Sequence, residues 1–327
     1  MVRRVDSLSG AGIQLARKKQ ILIAPVRRLW ILVRKVIGLE TDLTWRRLLK
    51  GIASDLQRIG GEKHSCIIFR QRTGNFLKLI TLSGEEIYWP TSMETETIEC
   101  VYRELSNPDH PHQYFSLYSP SPNDVVFDIG ACEGMFAYRL RNLVSRLFLF
   151  EPVPQIADAL CMTFSTEIAS GKVQVIQKAL GDTDRKVEMS IQSSFLCSSN
   201  IETPAKDIMK DQTIHVTTID SFIEENAISR IDLIKIDAEG SEISILKGAL
   251  KTMQTLHPRF LITLYHKPED AYQIPAFFEE NGYVIIGKTY DFFHRGWRGR
   301  HYRFFLILAA RRENKISTVG VECVSGS

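Results

Sequence analysis

The chain has 327 residues, 44% of them apolar and 24% charged, with 20 Gly and 12 Pro. These are ordinary globular proportions, so a sizeable buried core is expected, and no internal repeat or low-complexity segment interrupts it. The net charge of +3 singles out no partner, but residues 1–50 carry 12 Lys/Arg against 3 Asp/Glu and the rest of the chain 29 against 35, so a basic segment precedes a mildly acidic body.

Such a basic end suits a membrane surface, an acidic partner or nucleic acid, and it equally suits a solvated arm. The six cysteines, Cys66, Cys100, Cys132, Cys161, Cys197 and Cys323, are widely spaced and form no CxxC pair. That argues against a zinc site and a disulfide framework, and for free thiols in a reducing cytosol. A cytoplasmic location is therefore expected. The apolar stretch 21–37 is interrupted by Pro25, Arg27, Arg28, Arg34 and Lys35, and cannot span a bilayer without burying those charges.

Residues 1–57 read as a helical extension. Within 20–38 the pairs Arg27/Arg28 and Arg34/Lys35 stand two turns apart on one face, opposite Leu29, Trp30, Val33 and Ile37. This basic amphipathic helix has two open readings: peripheral contact with an anionic membrane, or docking on the protein's own body. Residues 58–119 change character. "SCIIFRQ", "NFLKLITL" and "EEIYWP" are β-rich and separated by turn residues, which predicts a small antiparallel meander, and 94–105 predicts a helix. The connector 106–124 is rich in Pro, Ser and Asn, and its His110 and His112 are expected to be a plain loop pair rather than metal ligands.

From residue 120 to 312 strands alternate with helices. Strands are predicted at 125–129, 146–150, 173–177, 231–236, 259–264, 283–286 and 303–309, with helices at 134–144, 154–169, 219–226, 241–252 and 270–281. Two further strands, near 186–191 and 214–218, form an insertion. The pattern predicts an α/β fold with a mostly parallel sheet covered on both faces. Residues 313–327 are read as a flexible tail.

Ligands of such sheets lie beyond the C-terminal ends of the strands. Here those ends are acidic: Asp128 and Gly130 after the first strand, Glu151 after the second, Asp182 after "VQVIQKAL", and Asp237 and Glu239 after "DLIKI". The glycine loop "GACEG" lacks the middle glycine of GxGxxG, and Glu133 sits where phosphate oxygens would lie, which argues against a dinucleotide. GxxxxGK[ST] is absent. A nucleoside with positive charge and no phosphate fits better, and S-adenosylmethionine (SAM) has a sulfonium, an amino group and two ribose hydroxyls for Glu151. Asp128, Gly130, Glu133, Gly134, Glu151 and Asp182 are the candidate cofactor residues.

The series "VVFDIGACEGMFA", "LFLFEPVP", "VIQKALGD", "VTTIDSF" and "IDLIKIDAEGSEISILKGA" resembles the FkbM family of SAM-dependent methyltransferases across roughly 120–290. The resemblance implies a class I methyltransferase (Rossmann-like) sheet of seven strands with the last antiparallel. It also implies methylation of a hydroxyl oxygen on a sugar, glycan, lipid-linked or secondary-metabolite acceptor. Where members often have Asn, this chain has Cys132. Asp237, Glu239 and His266 stand at adjacent strand ends as candidates to take the hydroxyl proton. For the two acids the competing role is helix capping, and for His266 a bond to Asp270. A divalent cation on the same three residues is the minor reading, so no metal is expected. The small polar stretch 193–203 is either an acceptor wall or a surface loop. The basic, aromatic stretch 294–303 is read as a solvated loop or a contact for an anionic acceptor, not a nucleic-acid site. A catalytically silent SAM-binding or membrane-docked scaffold is the alternative to an enzyme, and the intact strand-end acids favour the enzyme.

Overall fold

A computed structural model of the chain describes residues 65–108, 110–192, 208–291 and 303–312, with isolated positions between 33 and 49. Most of the predicted helix at 20–38, the stretch 193–203, most of 294–303 and the tail 313–327 lie outside the described residues. Compact packing divides the chain into two units, one of Met1–His64 with Tyr290–Arg303 and one of Ser65–Thr289 with Phe304–Ser327. The elements that follow lie in the second, apart from residues 290–291 and 303.

It opens with the meander β1 (Ile67–Thr73), β2 (Phe76–Thr81) and β3 (Glu86–Pro90), paired antiparallel, and helix α1 (Glu96–Ser106). A single turn at Tyr114–Ser116 leads to the alternating part. There the order is β4 (Val125–Ile129), α2 (Met135–Leu140), β5 (Arg146–Phe150), α3 (Pro154–Thr163), α4 (Ser165–Ala169), β6 (Val173–Ile176) and the short β7 (Ala179–Leu180). The insertion strands β8 (Arg185–Gln192) and β9 (Ile208–Thr217) follow. The chain continues with α5 (Ile219–Glu225), β10 (Leu233–Ile236), α6 (Glu242–Lys247), α7 (Leu250–Thr255), β11 (Arg259–Thr263), α8 (Asp270–Glu280), β12 (Tyr283–Asp291) and β13 (Arg303–Arg311).

The main sheet has seven strands in the order β12-β13-β11-β10-β4-β5-β6. Strands β11, β10, β4, β5 and β6 are parallel, and β13 runs antiparallel to β11. This is the class I methyltransferase arrangement. β7, β9 and β8 form a separate three-stranded sheet, as the insertion reading anticipates.

Each central strand is apolar on both faces because it is covered twice. Successive side chains alternate between two cores. Val126, Leu147, Leu149, Leu233 and Leu261 join α2, α3 and the meander, whereas Phe127, Phe148, Phe150, Ile234, Ile236 and Phe260 join α5, α6, α7 and α8. The meander is fastened to the first layer by backbone amides as well as apolar contact: Tyr88 N donates to Thr163 Oγ1 (3.0 Å) and Glu86 N to Tyr138 Oη (3.1 Å).

Two predicted helices are each broken in two. The 154–169 helix breaks at Phe164, which is fully buried. The 241–252 helix breaks at Gly248, where a Cβ would lie 2.0 Å from the carbonyl oxygen of Gly181. Gly130 is under the same pressure: its φ is +73°, and a Cβ there would lie 2.0 Å from the Asp237 carbonyl oxygen, so the glycine loop passes directly over the end of β10. Gly130→Ala is expected to lower unfolding free energy by more than about 2 kcal/mol, since it combines a left-handed backbone with a clash against main chain. Denaturant unfolding of the variant within about 0.5 kcal/mol of the wild type would contradict that close approach.

Candidate active site

The loop after β4 turns through three left-handed residues, Gly130 (φ 73°), Cys132 (φ 49°) and Gly134 (φ 77°). Its first amides, of Gly130 and Ala131, both donate to Phe150 O at 3.1 Å. From the other side Lys235 Nζ donates to Gly130 O at 2.9 Å and meets Asp128 Oδ1 at 2.9 Å. Lys235 and Asp128 are direct neighbours on β10 and β4, and both are buried. Burial drives Lys235 toward neutrality, but Asp128, Asp237 and Glu133 together outweigh it, so the ammonium is held charged. At Asp128 burial is the larger effect, and its carboxyl is raised despite Lys235. Asp128 therefore supports the loop from below, as half of a buried ion pair, rather than opening toward a ligand.

Glu151, at the end of β5, is 2% exposed. Its Oε2 accepts from Cys132 N (3.1 Å) and its Oε1 from Val153 N (2.9 Å), so it ties the glycine loop to the start of α3. Burial pushes its carboxyl up to about 7 against the pull of those two amides. Glu133 is also buried, which raises it, and its Oε1 accepts from Met135 N at 3.4 Å. Asp182 stands apart: it is an exposed residue of the turn after β7, its carboxylate bound by Arg185 Nη1 at 2.6 Å and its amide by Ser244 Oγ at 3.1 Å. The structure brings Gly130, Glu133, Gly134 and Glu151 together and leaves Asp182 outside, because β7 leaves the main sheet to pair with β9.

The second half of the site lies past β10. Asp237 Oδ2 accepts from Tyr114 Oη (2.7 Å) and lies 3.1 Å from His112 Nε2, while Oδ1 accepts from Thr263 Oγ1 and Tyr265 Oη, both at 3.3 Å, and lies 3.4 Å from His266 Nε2. Burial alone would raise Asp237, but the His112 bond, with the charges of His112, Lys235 and His266, holds it well below the usual carboxylate range. His266 Nδ1 is bonded to Glu242 Oε1 at 2.7 Å, not to Asp270, whose Oδ2 instead accepts from Lys267 N at 2.6 Å. Burial depresses His266, yet Glu242, Asp237 and Glu239 raise it to about 9. Glu239 occupies a left-handed position (φ 51°), with Oε2 3.5 Å from His266 Nε2. Its side chain is 34% exposed against 15% for Asp237 and 0% for Glu242. Burial, helped by Asp237 and Glu242, pushes Glu239 up to about 7 against His266 and His112.

Capping of the turn into α6 belongs to neither predicted acid. Glu242 Oε1 accepts from Ala238 N at 3.0 Å and closes it. Ligand-type atoms of Asp237, Glu242 and His266 lie within 4.8 Å of one another. These three, with Glu242 where the sequence reading had Glu239, are the described residues whose donor types and spacing could hold a cation.

Three residues of this site escape the sequence reading. Lys235 leaves a trace, a lone cation inside the apolar run "LIKI", which demands a buried partner. Glu242 is visible only as the second acid of "EGSE". His112 corrects the loop-pair expectation: it is 6% exposed and bonded through Nδ1 to Glu104 Oε2 at 2.7 Å, and burial notwithstanding, Asp237 and Glu104 raise it to about 9. Its partner Asp237, just past β10, is 125 residues away, a distance no local pattern spans.

Comparison with known proteins places the methyltransferase FkbM domain on residues 128–285. The chain is 24% identical over 164 residues to a hexuronic acid methyltransferase of Haloferax volcanii, covering 50% of this chain and 65% of that protein. It is 29% identical over 174 residues to a 2-O-methyltransferase of Sinorhizobium fredii, covering 48% and 70%. Among solved structures, a methyltransferase FkbM from Methylobacillus flagellatus is 20% identical with a TM-score of 0.44, over 66% of this chain and 55% of that one. The match at residues 128–285 makes that part of the chain similar to the FkbM domain of methyltransferases.

Proposed function

We propose that the chain transfers the methyl group of SAM to a hydroxyl oxygen of a sugar or glycan, with related secondary-metabolite hydroxyls in the same chemical class. The observation that carries this reading is the division of the strand-end acids into two groups. Glu133 and Glu151 line the glycine loop, and Asp237, Glu239 and His266 form a second cluster one strand away. The names of two relatives, a hexuronic acid methyltransferase and a 2-O-methyltransferase, support a sugar hydroxyl as acceptor.

The donor set fits SAM by charge. Buried carboxylates repel phosphate and favour a cation. Each Glu151 oxygen already accepts one backbone amide and keeps a further acceptor position, the requirement for holding two neighbouring ribose hydroxyls. Gly130, Gly134 and the Lys235–Asp128 pair hold the loop in place. When bound, SAM supplies a methyl carbon activated by a cationic sulfur, so the chain's task is placement and proton removal.

Glu239 is the residue suited to take the proton. It is the most open acid of its cluster, and a carboxyl near 7 is both ionised and basic enough at neutral pH. Asp237 is ionised but a weak base, and its oxygens are occupied by tyrosine, threonine and histidine donors; its role is to organise. His266 carries a proton at neutral pH and acts as a donor beside Glu239. The basic composition of residues 20–38 suits peripheral contact with an anionic membrane. Among the described residues no helix is long and apolar enough to cross a membrane.

Calorimetry tests the cofactor half. The wild type is expected to bind SAM and not NADH, and Glu151→Ala to lose tenfold or more in SAM affinity, about 1.4 kcal/mol. Unchanged affinity in a folded variant, or tight NADH binding, overturns the assignment. The acceptor half is tested with methyl glycosides of glucuronic acid and neutral hexoses, read as a mass gain of one methyl. Glu239→Gln is expected to lower kcat by about 10²-fold or more with SAM affinity retained. Because the base acts only when deprotonated, wild-type kcat should rise with pH through about 7. Full transfer by both Asp237→Asn and Glu239→Gln would show that the proton is taken elsewhere.

A further inference from the structure

Lys267 stands just past the end of β11, directly after His266, and its main chain is fixed on both sides. Its amide donates to Oδ2 of the buried Asp270 at 2.6 Å, and its carbonyl oxygen accepts from Asp270 N at 3.3 Å. Pro268 narrows the backbone choices further. The half-buried side chain then lies across the turn between β10 and α6. A Cβ built on Gly240 (φ +98°) would lie 2.9 Å from Lys267 Cε, 3.5 Å from Cγ and 3.6 Å from Cδ. The stem therefore passes over the residue that follows Glu239, and a side chain at 240 would push it aside. The ammonium is one bond beyond Cε, so it is held at the same turn as the proposed base.

The other cations at this edge are taken up by acids: Lys235 by Asp128, His112 by Glu104 and Asp237, and His266 by Glu242 and Asp237. Lys267 is different. Among the described residues no carboxylate lies within ion-pair distance of its Nζ, although Glu239, Glu242 and Asp270 come from the elements around it. A lysine whose stem merely shields apolar surface is the ordinary alternative. Here the spot it covers is the main chain of the turn that carries Glu239. That matters for the acceptor, because an edge so rich in carboxylates repels any anion that approaches it. An ammonium placed beside Glu239 offsets the repulsion for an oxyanion and does nothing for a neutral ring.

We propose that Lys267 selects an anionic acceptor: its ammonium receives an oxyanion carried by the same sugar whose hydroxyl faces Glu239. The inference rests on the reading that Glu239 faces the acceptor, and it narrows the acceptor from sugars in general to sugars that bear a carboxylate or a phosphate ester. On such a ring the charged group stands only a few bonds from the hydroxyls, so one molecule can meet Glu239 through a hydroxyl and Lys267 through its charge.

The experiment reads binding rather than turnover. The full chain, with and without S-adenosylhomocysteine, is titrated calorimetrically with methyl glucuronoside, methyl glucoside 6-phosphate and methyl glucoside. The wild type is expected to bind at least one of the anionic glycosides about fivefold or more tightly than the neutral one, the scale of an exposed charge pair, and the arm that binds tells carboxylate from phosphate ester. High salt should erode that preference. Lys267→Met should reduce it to about twofold or less, whereas Lys267→Arg, which keeps the charge, should retain most of it. No binding or no preference in the wild type, a preference that survives Lys267→Met, or an equal loss for charged and neutral glycosides overturns the inference. A chain that favours a charged glycoside through Lys267 but transfers no methyl refutes the methyl-transfer reading alone. One that methylates neutral and charged glycosides alike refutes the inference alone.

Discussion

At the C-terminal edge of the main sheet, buried and partly buried carboxylates outnumber the cations beside them. Asp128, Glu133, Glu151, Asp237, Glu239 and Glu242 crowd there against Lys235, His112 and His266. An acid buried without a partner is costly, so each must be paired, bonded to amides, or protonated. The protein uses all three remedies. Asp128 meets Lys235, Asp237 collects hydroxyl and imidazole donors, and Glu242 takes an amide and His266. Burial raises Asp128 and Glu133 as well, and it pushes Glu151 and Glu239 up to about 7. That deficit of positive charge is what a cationic ligand relieves. It also explains why the loop, though shaped like a phosphate cradle, is chemically unsuited to phosphate.

The fold imposes this crowding. Parallel strands all end on one side, so the residue after each strand falls at the same edge. Lys235 is the counterweight that makes the edge tolerable. From the middle of β10 it reaches Asp128 on β4 and the carbonyl of Gly130, and it is buried with both. The loop can then pass over the end of β10 with no room for a side chain at Gly130. Asp237 is the second junction, joining the connector, β10 and the residues after β11 through one carboxylate.

Much of this was legible in the sequence. The strands of the main sheet follow from short apolar runs ended by Asp, Glu or Gly, and the meander from β-branched runs separated by turns. That the glycine loop, Glu151, Asp237, Glu239 and His266 lie just beyond strand ends was readable from the apolar runs that precede them. Long-range pairing was not. His112 sits in a Pro-rich connector that reads as a spacer, and nothing local reveals that Gln113 and Thr289 pin it against β10. Asp182 also follows a short strand, but β7 joins the insertion sheet, which moves its acid away; the sequence does not show to which sheet a two-residue strand belongs. The two helix breaks likewise arise from tertiary contacts, at Phe164 and at Gly248 against Gly181.

If the excess of buried acid is what selects the ligand, binding must be coupled to protons. Glu151, pushed up to about 7 by burial, would ionise as it accepts ribose hydroxyls and gains a neighbouring cation. The direct measurement is titration calorimetry of SAM into the protein at pH 6.5 in buffers of differing ionisation enthalpy, which counts protons exchanged on binding. The account predicts net proton release at pH 6.5, disappearing above about pH 8 and reduced in Glu151→Gln. Binding of SAM with no proton exchange at pH 6.5, or with net uptake, would contradict the claim that an excess of buried carboxylate selects the cationic ligand.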